Sequence, residues 1–354
     1  MKIKRLQLKD FMLFQNLDIP FSPHVNIISG ENSTGKTALI KLLYSCMKGC
    51  SSAGVSKGDL TKEKIETMLV SKFQGVFRPD NEAIGRLVRR KRGSNRTEIR
   101  LELERESFLE VGFGNRQERH MDVIQYYMPD MKSLSPVYLP PKEIISSTEN
   151  FGALYDEYHI AFEETYYDLA RMLERPLRKG ANTQEQNAVL KSFENIVNGS
   201  IIQKDKKFYL KVKEAGEFEM GLVSEGYRKL ATIMYLILSG GLSKNSILFW
   251  DEPETNMNPK MIKPLTDAII VLAQMGVQVF VTTHNYFVQQ EFQMAAAYRN
   301  TNKNPLQYCF ISLNKTENGI ACETAKRLDA LEHNAVMEEF DQLYDREQEL
   351  LYDN

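Results

Sequence analysis

The stretch Gly30-Glu31-Asn32-Ser33-Thr34-Gly35-Lys36-Thr37 decides the reading of this chain. It satisfies G-x-x-x-x-G-K-[ST], a loop that closes backbone N–H groups around phosphate oxygens. Such a loop needs a strand before it and a helix after it. Residues 25–29, Val-Asn-Ile-Ile-Ser, supply a short apolar run of strand type, and residues 38–43, Ala-Leu-Ile-Lys-Leu-Leu, a helix-forming one. The helix N-terminus adds its partial positive charge beside the same phosphates. This context assigns nucleoside triphosphate binding to Gly30, Glu31, Asn32, Ser33, Thr34, Gly35, Lys36 and Thr37. Lys36 is expected to reach the β- and γ-phosphates, and the Thr37 hydroxyl to ligate Mg2+.

A triphosphate site that turns over needs acids as well. The apolar run at 246–250 ends in Asp251 and Glu252. A strand that stops in two carboxylates places them at the C-terminal edge of a sheet, where open α/β folds bind their ligands. Asp251 is expected to hold Mg2+ through its water shell, and Glu252 to orient or deprotonate an attacking water. A second apolar strand at 277–283 ends in His284, placed to sense the γ-phosphate by hydrogen bonding. His24, His120, His159 and His333 have no such context and read as ordinary loop histidines. The stretch Ser224-Glu225-Gly226 precedes an apolar helix at 231–238. A small residue at a helix start is either an anion site or a plain cap, and this stretch alone leaves both open. Trp250, the single tryptophan, reads as core.

The remaining composition sets bounds. The 354 residues are 42% hydrophobic and 26% charged, ordinary for a globular chain with a full core. A formal net charge of −2 gives no whole-chain signal for nucleic acid, so any such contact must be a local patch. One patch qualifies. Arg86, Arg89, Arg90, Lys91, Arg92 and Arg96 crowd the tip of an expected hairpin with strands at 84–90 and 97–105. Edge protection and a contact to phosphate or an acidic partner both fit such a cluster. Arg89, Arg90, Lys91, Arg92 and Arg96 are taken as the candidate contact residues. The cysteines Cys46, Cys50, Cys309 and Cys322 lack zinc-type spacing and argue against disulfides, which suits a reducing cytoplasm. No run of about 18 apolar residues spans a membrane. Elsewhere the spacing predicts strands over 1–29, a small-residue loop at 51–58, and a polar helix at 61–73. A strand at 136–139 follows, then helices within 149–199, a strand pair at 206–214 and 217–223, a hairpin at 307–324, and an acidic helix over 329–352.

Taken together, the phosphate loop, the Asp251-Glu252 strand, the Ser-x-Gly turn and Thr282-Thr283-His284 resemble the ABC ATPase class. The opening strands and Asp251-Glu252-Pro253-Glu254 are similar to its RecF/SMC/OLD-like branch of AAA-family ATP-binding proteins, in a compact form without a Toprim nuclease domain. The resemblance implies an α/β fold: an ABC-type P-loop NTPase core of mixed and parallel sheet flanked by helices, with a small helical insertion. The expected division is 1–148 for the first part of the core, 149–200 for the helical lobe, 201–325 for the second part, and 326–354 for the tail helix. It also implies a Mg2+-dependent ATPase that forms a head-to-tail homodimer, with higher oligomers open. Lys36, Thr37, Asp251, Glu252 and His284 would act on their own subunit's ATP, while Ser224 and Gly226 would face the other subunit's γ-phosphate. Asn256, Met257 and Asn258 would cross the dimer, and Glu143 stands where the family has a glutamine loop. Two positions depart from the pattern: Glu225 replaces a signature glycine, and Met12 stands where many relatives carry a basic residue. The expected role is control of a partner effector, a nuclease or toxin encoded nearby, or DNA processing, in bacterial anti-phage defence. A RecF-like DNA repair ATPase and a slow nucleotide-gated scaffold holding a toxin are the alternatives.

Overall fold

Runs such as Val25–Gly30 and Ser246–Asp251 lack polar alternation because both faces of their sheet are covered. The computed structural model describes residues 1–56, 60–158, 160–178, 180–299, 305–317 and 319–352. In chain order, β1 (Ile3–Phe11), β2 (Phe14–Pro20) and β3 (Val25–Gly30) lead into α1 (Lys36–Val55) and α2 (Lys62–Phe77). Next come β4 (Arg96–Leu103), β5 (Phe108–Gly114), β6 (Asp122–Tyr127) and β7 (Ser135–Leu139). The helices α3 (Phe151–Tyr158), α4 (Glu164–Leu173) and α5 (Gln184–Val197) follow, then β8 (Gly199–Lys204), β9 (Lys207–Val212) and β10 (Gly216–Glu219). The chain continues through α6 (Glu225–Leu238), β11 (Ser246–Asp251), α7 (Ile262–Gln274), β12 (Gln278–Thr283) and α8 (Tyr286–Tyr298). It closes with β13 (Tyr308–Thr316), β14 (Gly319–Ala325) and α9 (Ala335–Tyr352).

A six-stranded sheet in the order β14-β13-β3-β12-β11-β7 forms the centre, parallel except for its β13–β14 hairpin. Its side chains alternate between two cores. Ile28, Ile247, Phe249, Phe280 and Ile311 face α1 and a five-stranded antiparallel sheet, β2-β1-β4-β5-β6. Ile27, Leu248, Trp250, Val279 and Val281 face the other core, built with α4 to α8. A small sheet, β10-β9-β8, packs against α5 and α6, with the Phe208 ring edge-on to Tyr235 of α6. The parallel order sends β3, β11 and β12 out at one edge, so Gly30, Asp251 and Thr283 end side by side.

Several expectations need correction. Residues 84–90 are not a strand. Ile84–Leu87 is a 3-10 turn because the amides of Ile84 and Gly85 donate to the carbonyls of Glu118 and Gln117, leaving only a bridge from Val88 to Phe11. The hairpin is β4–β5 instead. The small-residue stretch after Ser51 is the last turn of α1, where Gly54 lies so close to Met131 that a Cβ would meet the Met131 Cβ at 2.6 Å. Of the expected loop, residues 57 and 58 lie outside the described residues, as do His159 and Asn318 of the last turn. The acidic helix begins at Ala335, after a 3-10 turn at Leu328–Ala330.

Candidate nucleotide site

The phosphate loop leaves β3 through Gly30, whose φ of 149° belongs to glycine, and whose Cβ would meet the Leu313 carbonyl oxygen at 2.4 Å. Gly35 turns into α1 with φ 93°, where a Cβ would meet the Phe14 ring at 2.5 Å. Lys36 folds back into the loop, its Nζ donating to the carbonyls of Gly30 (2.8 Å) and Glu31 (2.9 Å). Burial lowers its pKa from the ordinary lysine value, against the pull of Glu252 and Asp251. The Thr34 hydroxyl donates to the Glu31 carbonyl, and Glu31 pairs outward with Lys315. Asn32, Ser33, Gly35, Lys36 and Thr37 line a cavity of about 460 Å³ with Met12, Leu13, Ala38, Lys41, Phe77 and Glu252.

At the sheet edge, Thr37 Oγ1 donates to Asp251 Oδ1 at 3.1 Å. Asp251 is buried and accepts from two further hydroxyls, Thr282 at 2.5 Å and Tyr138 at 3.0 Å. Burial raises its pKa, and the three hydroxyl donors pull it back. Glu252 has left the strand with φ 43° and is a quarter exposed, with the His284 Nδ1 3.1 Å from its Oε1. Its amide donates to Thr282 Oγ1 at 3.0 Å, so one threonine fixes both acids. Glu254 is buried, accepts from Thr283, and has a pKa raised by burial. The Thr37 hydroxyl beside a carboxylate is a hard-oxygen donor pair that suits Mg2+, which takes few protein ligands and keeps waters.

The remaining candidates lie elsewhere. Ser224 occupies the N-cap position of α6 but makes no side-chain capping bond and is exposed, contrary to the plain-cap reading. Gly226 is the second residue of α6 and faces Met257. Neither residue lines the cavity at the phosphate loop. Glu143 accepts from Ser146 and pairs with Arg228 of α6 at 2.9 Å. Asn256 donates to Glu225 at 3.0 Å, joining the loop after β11 to α6. Lys229, which the sequence reading overlooked, is buried there and donates to the carbonyls of Pro253 (3.2 Å) and Thr255 (2.8 Å). Tyr138 and Thr282 were also missed as Asp251 partners. In the basic cluster, Lys91 pairs with Asp10 at 2.6 Å and Arg96 with Asp122 at 2.6 Å, so these two are spent within the chain. Arg90 and Arg92 are exposed, and Arg89 is partly buried.

This fold and site define an ABC-class ATPase of the RecF/SMC branch. Residues 25–288 match the family described as "AAA domain, putative AbiEii toxin, Type IV TA system", and the chain belongs to that family. The DNA replication and repair protein RecF of Halalkalibacterium halodurans is 50% identical over 44 residues, 12% of each chain. RecF of Enterobacter sp. (strain 638) is 29% identical over 100 residues, 28% of this chain and 27% of that one. Structural maintenance of chromosomes protein 6A of Arabidopsis thaliana is 38% identical over 66 residues, 19% of this chain and 6% of that one. These alignments cover only a small part of the relatives' lengths. In fold, the chain resembles an Smc head bound to the C-winged helix domain of ScpA, with TM-score 0.54, 11% identity, and coverage of 93% of this chain and 99% of that one. A Pyrococcus furiosus Smc head bound to the C-terminal domain of ScpA gives TM-score 0.52 at 10% identity, over 98% and 99%. Among the described residues no helix is long and apolar enough to cross a membrane.

Proposed function

We propose that this chain hydrolyses ATP in a head-to-tail homodimer and that the ATP-bound dimer controls a partner effector, a nuclease or toxin, in anti-phage defence. The observation that carries the dimer is the division of the site. Lys36, Thr37, Asp251, Glu252 and His284 converge at one sheet edge, while the exposed, uncapping Ser224 at the start of α6 does not line the phosphate-loop cavity of its own chain. A helix N-terminus with a free hydroxyl suits the γ-phosphate held by another copy. In this reading Thr37 and Asp251 would hold Mg2+, which supplies charge neutralisation at the β- and γ-phosphates. Glu252 takes the proton of the attacking water, and His284 holds that carboxylate in place. Glu143 acts through Arg228 on the α6 helix rather than on the nucleotide. The effector reading is supported by the family description, which names a toxin of a toxin–antitoxin system. The stretches of RecF identity favour a second reading, a DNA repair ATPase.

The test uses two variants. Glu252→Gln should lower turnover by about 10²–10⁴-fold while ATP stays bound. Ser224→Arg should abolish turnover, and mixing it with Lys36→Ala chains should restore one working site in mixed dimers. Failure of every mixture to recover activity would remove the head-to-tail arrangement. Co-purification of the native protein with a nuclease or toxin chain, against a replication factor, separates the two readings.

A further inference from the structure

The cavity at the phosphate loop is lined by two cations, Lys36 and Lys41, and by the acid Glu252. Lys41 stands on α1 one turn past Thr37 and Ala38, and all three border the cavity. Helix side chains lean toward the N-terminus of their own helix. Lys41 therefore reaches back toward the end of α1 that receives phosphates. Its side chain is only 13% exposed, and its ammonium lies 2.6 Å from the carboxylate of Glu163, which is 38% exposed.

The Lys41–Glu163 pair is not what fastens α4 to α1 and α2. Glu163 is the N-cap residue of α4, and the next residues along the helix carry stronger ties. Lys72 of α2 reaches Glu164 at 2.5 Å and Asp168 at 2.9 Å, and the Tyr44 hydroxyl of α1 donates to Asp168 at 2.5 Å. None of these contacts involves Lys41. Glu163 can also stand without its cation. Water reaches it, the Thr165 hydroxyl donates to it at 3.4 Å, and the dipole of α4 favours a carboxylate at that end. A partly exposed ion pair is weak, whereas a phosphate offers the same ammonium an acceptor of higher charge.

We propose that Lys41 is a second phosphate-binding cation of the nucleotide site and that Glu163 competes for it. In the free chain the ammonium rests on Glu163. A bound nucleotide takes it and leaves Glu163 to water and to the N-terminus of α4. The start of α4 thereby sets the nucleotide affinity. By linkage, whatever draws Glu163 from Lys41 tightens nucleotide binding, and bound nucleotide loosens that ion pair by the same factor. This inference rests on the nucleotide-site reading above.

The experiment is isothermal titration of the full chain with the non-hydrolysable ATP analogue AMP-PNP and Mg2+. It is run at about 0.15 M salt, where charges more than about 8 Å apart are largely screened. Lys41→Gln should weaken binding about tenfold or more, through loss of a hydrogen bond between ionised groups. Glu163→Gln should do the opposite and tighten binding about three- to fivefold, because the ammonium is then free. In the Lys41→Gln background, Glu163→Gln should change the affinity by less than about 1.5-fold. A pair that only supports the fold gives a loss or no change in Glu163→Gln, and that result overturns the proposal. An equal gain in both backgrounds marks a field effect of the carboxylate alone and also overturns it, as does unchanged affinity in Lys41→Gln. Equal melting temperatures without nucleotide verify folding, and Lys41→Met serves in place of Lys41→Gln should the latter melt below the parent. Lys36→Ala is the control for the site itself. Binding that survives it shows that the phosphate-loop reading has failed, and this inference with it.

Discussion

Replacing Lys229 with methionine tests how α6 is tied to the turn that follows β11. The ammonium sits in a buried position on α6 and donates to the carbonyls of Pro253 and Thr255, the two ends of a turn that begins just past Glu252. Glu225 lies 3.9 Å away, too far for a strong pair. Burial lowers the lysine pKa, so part of the gain from the two bonds is offset by desolvation. Methionine keeps the stem packing and deletes both donors. Each charge-assisted bond contributes about 1.5–3 kcal/mol, and two buried carbonyls lose their partner. With the saved desolvation cost subtracted, a net loss of about 2–4 kcal/mol is expected. For 354 residues the unfolding entropy is large, so this becomes a melting shift of roughly 3–5 °C. Turnover should fall as well, because Asn256–Asn258 lose their fixed relation to Ser224, while affinity for a fluorescent ATP analogue stays near the parent value. Unchanged melting and unchanged turnover in Lys229→Met would refute the reasoning.

Three further outcomes are expected. Asp251→Asn should raise the melting temperature at neutral pH and abolish Mg2+-dependent nucleotide binding. Burial raises the folded pKa of Asp251, so its ionised form destabilises the fold above the ordinary carboxylate value, and the gain should vanish as pH falls below about 4. A melting series against pH checks the sign. Lys72→Met should cost about 1.5–3 kcal/mol, because the partly buried Glu164, 2.5 Å from its ammonium, would lose its cation and Asp168, at 2.9 Å, would keep only Lys48 at 3.8 Å; urea denaturation measures this. Gly35→Ala should abolish nucleotide binding, since at φ 93° its Cβ would meet the Phe14 ring at 2.5 Å, and isothermal titration would detect the loss.

What could be read from the chain alone was local. The phosphate loop, the carboxylates closing β11 and His284 closing β12 are contiguous signals whose meaning comes from a strand that stops. What could not be read depends on which strands are neighbours. Thr282 lies opposite Asp251 in the β11–β12 register, and Tyr138 comes from β7 on the other side of β11. Nothing in the spacing of these residues announces either contact. Residues 84–90 look like a strand by composition, but the amides that would build one are taken by Gln117 and Glu118, a choice made by a distant turn. Lys229 reads as one more polar residue at a helix start, and its burial follows from the path of the chain after Pro253. The basic cluster was legible as a cluster, yet its charge depends on Asp10 and Asp122, which only the fold brings beside it.

The charges at the sheet edge argue for how nucleotide binding and the loop are linked. Asp251, Glu252 and Glu254 gather within four residues, and two of them are buried with raised pKa values. The buried cations nearby are Lys36 on one side and Lys229 on the other, each with a pKa lowered by burial. Lys229 is held by the backbone carbonyls of Pro253 and Thr255, outside the phosphate-loop cavity. Lys36 is held by the carbonyls of Gly30 and Glu31, within the loop that must receive the phosphates. A triphosphate offers Lys36 ionic acceptors in place of two neutral ones, and hydrogen bonds to charged acceptors are roughly twice as strong. Under the proposed site reading, such an exchange would release both carbonyls. We therefore expect the binding free energy to carry the cost of releasing those two carbonyls, one at the last residue of β3 and one beside it.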